Sequence, residues 1–143
     1  MKRTLFIFLF LTFKSYSQDI TGNWNVVSYE DETVYYNKVK DSIVFRDTVE
    51  KDQVELFKQT LESIVFSVTY SFKSNGKYVL NFPALGRIES GDFKIDKLNK
   101  TIMMIEDKGK KDELPYVYSN GILFIRMTME IGFINVGLTK VDN

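Results

Sequence analysis

An antiparallel β-barrel or sandwich of about eight strands, with one helix inserted early, is the fold class this sequence predicts. Three observations carry that expectation. Segments after residue 64 alternate apolar and polar side chains with a period of two. Turn-forming residues, Ser74-Asn75-Gly76 and Ser119-Asn120-Gly121, stand between such segments. One window, residues 48–64, switches to a helical period. A closed barrel is the better solution, because it removes the free strand edges a meander would expose.

The first residues form a unit of their own. Met1-Lys2-Arg3 is basic, Thr4 to Phe13 is apolar, and Ser15-Tyr16-Ser17 offers the small residues a signal peptidase reads. The apolar run is about half the roughly 20 residues a membrane-spanning helix needs. Residues 1–17 are therefore expected to be a cleaved export signal. Residues 18–143 would be the mature domain, periplasmic or secreted, with no membrane span. No cysteine is present to carry a lipid or form a disulfide. Loss of Lys2, Arg3 and Lys14 would leave 16 basic and 19 acidic residues from a balanced 19 and 19, a net charge of −3. That balance offers no footprint for nucleic acid. Hydrophobic residues make up 44% of the chain and aromatic ones 15%, which describes a folded domain able to bury a core.

The mature chain opens on Gly22-Asn23-Trp24, a first strand holding the only tryptophan. Trp24, Val26 and Ser28 would share one face, and Asn25, Val27 and Tyr29 the other. Asp31 to Asn37 has a β-prone centre and would extend this strand after a bend, and Ser42 to Arg46 is a further β-prone run. Val54, Phe57, Leu61, Ile64 and Val65 then line one helical face, with Asp47 or Thr48 as the expected cap. From Phe66 to Phe72, and again over Tyr78, Leu80 and Phe82, large apolar residues alternate with polar ones. Pro83 ends that strand, and Gly91 is expected to mark a bulge or bend in the next one, whose apolar positions are Ile88, Phe93 and Ile95. Thr101 to Glu106, Leu114 to Ser119, Ile122 to Met129 and Gly132 to Val141 complete the strands.

The ordered series of Gly22-Asn23-Trp24, Tyr70-Ser71-Phe72-Lys73-Ser74-Asn75-Gly76-Lys77-Tyr78, Gly91-Asp92-Phe93-Lys94-Ile95, Ser119-Asn120-Gly121-Ile122-Leu123 and Gly137-Leu138-Thr139-Lys140-Val141 resembles the small exported lipocalin-like proteins of Gram-negative bacteria. The resemblance spans the mature chain. It implies a calycin-type up-and-down barrel of eight strands with a cavity at one end. It also implies that Trp24 plugs the base against a cation from the last strand, with Lys140 the closest match and Arg126 the alternative. The early helix departs from animal lipocalins, whose main helix follows the barrel.

Chemistry is narrowly bounded. Without histidine or cysteine, the Ser-His-Asp and Cys-His arrangements and nitrogen- or sulfur-ligated zinc are not available. Asp41, Asp47, Glu50 and Asp52 crowd one region but lack the spacing of a calcium loop, and read as a solvated helix start. No phosphate-binding glycine loop is present. The chain is expected to be no enzyme, with no cofactor and no metal.

A small apolar or amphipathic ligand is the expected partner. Phe66, Tyr70, Tyr78, Phe82, Tyr116 and Tyr118 are the candidate barrel lining, and Phe57 and Leu61 the candidate lid. The other reading is a barrel filled solid by these same rings, acting as a protein-interaction or assembly module of the cell envelope, with Tyr35 and Tyr36 in an exposed patch. Arg126 would anchor a ligand carboxylate if its face turned inward. Leu123, Ile125, Met127 and Met129 on the opposite face favour its lying outside.

Overall fold

Hydrogen-bonded strand pairs account for most of the chain. A computed structural model describes residues 19–142, so the export-signal reading of residues 1–17 lies outside the described residues. The elements are β1 (Gly22–Glu30), β2 (Val34–Asn37), β3 (Ser42–Phe45), α1 (Lys51–Ile64), β4 (Thr69–Phe72), β5 (Lys77–Phe82), a 3-10 turn (Pro83–Leu85), β6 (Arg87–Asp96), β7 (Thr101–Glu106), β8 (Lys111–Ser119), β9 (Ile122–Thr128) and β10 (Phe133–Lys140). Antiparallel neighbours run β1-β4-β5-β6-β7-β8-β9-β10, and β10 returns to pair with β1. The eight strands close a barrel. Closure satisfies the backbone groups that an open meander would leave at its edges.

The turns follow the residues. Asn120 and Gly121 both take positive φ (52° and 78°), which a two-residue hairpin between β8 and β9 requires. Gly76 takes φ 79° in the β4–β5 turn, where the Asn75 side chain accepts a hydrogen bond from the Lys77 amide.

The first strand does not keep one parity. Its pairing with β10 shifts between Val26 and Ser28, so one extra residue is inserted there. Trp24 and Val26 face the interior. Beyond the bulge Tyr29 takes the inner face, and Ser28 is buried on the outer side against Gly137. The expected bulge at Gly91 is absent: register runs unbroken through it on both sides. Gly91 instead stands where a Cβ would overlap the Ile105 carbonyl, so two backbones approach too closely there for any side chain.

β2 and β3 form a hairpin outside the barrel circuit. β1 pairs with β4 only over Gly22–Asn25, and above that, over Ser28–Glu30, with β2. The helix lies on this hairpin. Phe57 meets Phe45 edge-on at 5.5 Å, Leu61 is buried, and Tyr36 donates to Glu62 at 3.2 Å. Lys58 pairs with Asp41 and Lys38 with Glu62. The helix starts at Lys51 with Glu50 as its cap residue, and no side chain caps it, contrary to the expected role of Asp47 or Thr48. Its C-terminal turn also takes up Val65 and Phe66, whose amides both donate to the Leu61 carbonyl, so β4 begins at Thr69 rather than at Phe66.

Candidate functional site

One end of the barrel is closed by packing. Trp24 is fully buried, and its indole N–H donates to the Ile20 carbonyl at 2.8 Å. Lys140, its cross-strand neighbour on β10, holds its ammonium 5.7 Å from the indole ring centre. Gly22, at φ 134°, lies where a Cβ would meet the Lys140 side chain. The Gly-x-Trp spacing thus has a local reason: the lysine stem needs the space that glycine leaves. Tyr118 stands edge-on to Trp24 at 6.3 Å. Above this plug Phe72, Tyr78, Ile102, Leu123, Ile125 and Leu138 fill the interior with 1% exposure or less.

The other end is hollow. A cavity of about 650 Å³ opens there. Val26, Tyr70, Leu80 and Glu89 line it from β1, β4, β5 and β6, and Met104, Leu114, Met127 and Val136 from β7 to β10. Every strand of the barrel contributes a wall residue. The volume is within the range of small-ligand sites, about 300–1,000 Å³. The helix contributes its last turn, Ile64 and Val65, with Leu85 of the 3-10 turn beside them. β8 and β9 pair only where Tyr116–Ser119 meets Ile122–Ile125. Above that ladder, toward the mouth, Glu113 and Thr128 also reach the cavity. A shallower groove of about 470 Å³ lies where α1 meets the β2–β3 hairpin, lined by Tyr36, Lys58 and Glu62.

Charge enters the mouth on β6, β7 and β8. Cross-strand pairing fixes which residues turn inward. Phe82 stands opposite Arg87, Leu80 opposite Glu89, and Met104 opposite Asp112, so all three charged residues share the face of apolar wall residues. Arg87 pairs with Glu89 at 3.2 Å and lies 4.8 Å from the Phe82 ring centre. Tyr78 donates to the same Glu89 carboxylate at 3.3 Å from below. Lys110 is bound to Asp112 at 2.8 Å and stands 3.9 Å from Glu106. Burial and then the charge of Glu89 push the Tyr70 phenol up to about 12. The Tyr78 phenol is pushed up by the same two causes, with its hydrogen bond to Glu89 adding to them. Tyr29 is also raised, by burial first and then by its hydrogen bond to Asp31.

The expected lining residues divide between the two ends. Tyr70 and Phe82 are in the cavity wall. Tyr78 and Tyr116 are buried in the filled part, and Tyr118 lies at the plug. Phe66 is buried against Tyr36 at 5.2 Å, behind the wall. The expected lid residues Phe57 and Leu61 face the hairpin and core, and the helix reaches the mouth one turn later. Tyr36, expected in an exposed patch, is 3% exposed, whereas Tyr35 is 37% exposed. Arg126 lies outside the barrel, 3.9 Å from the Phe133 ring centre. Arg87, Glu89 and Asp112 were not among the expected site residues. Parity could have found them: Phe93 and Ile95 face inward, so residues 91, 89 and 87 do too, and Ile88 is 69% exposed.

The molecule is a closed antiparallel eight-stranded barrel with a packed base and a hollow mouth. Its fold is similar to that of a DUF4847 family protein from Bacteroides vulgatus known from its crystal structure. The TM-score is 0.55 at 15% sequence identity, over 85% of this chain and 95% of that one. At that identity the likeness is one of fold. No family model and no curated protein matches the sequence.

Proposed function

We propose that this chain is an exported, lipocalin-like binding protein that carries a small apolar or amphipathic ligand in the open end of its barrel. One observation carries the reading. The strands that pack solid around Trp24 leave about 650 Å³ of space at the other end, walled by Val26, Tyr70, Leu80, Met104, Met127 and Val136. No catalytic role is assigned. At the mouth Arg87 is paired with Glu89 and Lys110 with Asp112, and among the described residues no three potential metal ligands come together. Export rests on the leader-like residues 1–17. Among the described residues, no helix is long and apolar enough to cross a membrane.

The test is native mass spectrometry of the mature protein purified without detergent, followed by thermal melting with single-chain alkyl compounds. A discrete added mass that is lost on denaturation, or a dose-dependent rise in Tm, supports the carrier. A bare mass with no Tm shift across the series would overturn it and leave the interaction module as the reading to pursue. Trp24 fluorescence is a poor reporter here, because the indole is sealed into the base, at the opposite end from the mouth.

A further inference from the structure

We propose that the mouth of the cavity selects an amphipathic cation, an alkylammonium, over a carboxylate with the same tail. The inference rests on the reading of the cavity as a ligand site and names the chemistry of the head group. Three features of the mouth carry it.

The first is the charge on the wall. Glu89, Asp112 and Glu113 line the cavity against Arg87 and Lys110. Glu106, the cross-strand partner of inward Gly91, adds a fourth carboxylate beside Lys110. The second is that both cations are already engaged. Arg87 is held by Glu89 and stacked near Phe82, and Lys110 is held between Asp112 and Glu106. Glu113 makes no ion pair with a described residue. A ligand carboxylate would have to displace a wall carboxylate to reach either cation, whereas an ammonium meets acceptors with spare lone pairs. The third feature is Tyr70. It lines the cavity and is 6% exposed, yet no described residue hydrogen-bonds its hydroxyl. Among the described residues no buried side-chain oxygen or nitrogen lacks a partner, so the Tyr70 hydroxyl opens on the cavity and is free to accept a hydrogen bond from an occupant. Glu89 is near enough for its charge to act on the Tyr70 phenol. An ammonium N–H placed between them would donate to the Glu89 carboxylate and to the Tyr70 oxygen. The alkyl tail would then lie along Leu80, Met104 and Val136.

Decan-1-amine, decan-1-ol and decanoate, equal in tail length, separate the possibilities by calorimetry near neutral pH on the mature protein. The expected order is amine, then alcohol, then decanoate, with the amine at least about tenfold tighter than decanoate, the factor one favourable charge contact supplies. Glu89→Gln keeps an acceptor for Tyr78 but frees Arg87, so the preference should invert toward decanoate while decanol binding holds. Tyr70→Phe should weaken the amine several-fold with less effect on decanoate. Equal or tighter binding of decanoate by the unsubstituted protein overturns the head-group inference and leaves the cavity reading standing. So does an order untouched by Glu89→Gln. Absence of binding by all three at millimolar concentration overturns both.

Discussion

Strand β7 holds the contrast between the two ends of the barrel in two residues. Ile102 and Met104 are successive inward positions of one strand. Ile102 is wholly enclosed, and Met104, 4% exposed, looks into the cavity. Both would be called core by burial alone. What separates them is what stands opposite. Ile102 stands between Ile95 and Leu114 of the neighbouring strands, in the enclosed part of the interior. Met104 faces the space walled by Val26, Tyr70, Leu80, Phe82 and Val136, which together do not fill a barrel of eight strands at that level. Two departures from regular pairing enlarge that end: β1 gives up β4 for β2 above Asn25, and β8 parts from β9 above Tyr116. A filled end and a hollow end thus coexist on the same ladder.

The largest expected effect comes from truncating matched leucines. Leu138→Ala at the filled end should cost about 3–4 kcal/mol, and Leu80→Ala in the cavity wall about 2 kcal/mol, because Leu80 already lacks neighbours on one side. Urea unfolding followed by circular dichroism measures both, and equal losses would break the contrast. Enlarging the two β7 residues is the converse. Ile102→Phe should cost about 1–3 kcal/mol through overpacking, while Met104→Phe has room and should stay within about 1 kcal/mol of the parent. If the carrier reading holds, Met104→Phe also weakens decanol binding.

The smallest effect is in alkaline pH. The Tyr70 phenol has a folded value of about 12 against an ordinary 10.0, chiefly through burial. The folded chain therefore holds that proton more tightly than the unfolded chain. The stability this contributes is complete below pH 10 and is lost as pH rises from 10 toward 12. Tyr29, Tyr36 and Tyr78 are raised in the same direction. Tyr70→Phe should make the fall of Tm above pH 10 less steep. An unchanged slope would mean that water in the cavity already solvates the phenolate.

Local rules made much of this legible from residues alone. The Asn120-Gly121 turn, the helical face through Val54, Phe57 and Leu61, and the alternation of Tyr78, Leu80 and Phe82 depend on neighbours within a few positions, and all appear in the fold. The pairing of Trp24 with Lys140 followed from the family pattern. The candidate site was legible only in part. Tyr70 and Phe82 were expected in its wall, but Tyr78, Tyr116 and Tyr118 carry the same alternation and end up below it. Alternation tells which face a residue takes and is silent on its height in the barrel. Arg87, Glu89 and Asp112 were passed over because charged residues are assigned to the outside by default. At a mouth, paired charges can stand on the inner face with water close by.

The sequence by itself determined the strands, the turns and the inward face of most of them, since each depends on the pleat and on local backbone preferences. Tertiary structure alone decided three things. The bulge after Val26 passed the inner face from Ser28 to Tyr29. The β2–β3 hairpin took the upper edge of β1 and gave the helix its seat. Side chains from strands far apart in sequence met at the base and failed to meet at the mouth. All three depend on which strand lies beside which, and on how much volume eight inward faces bring to one level. Those are sums over the whole barrel, and no single stretch of sequence contains them.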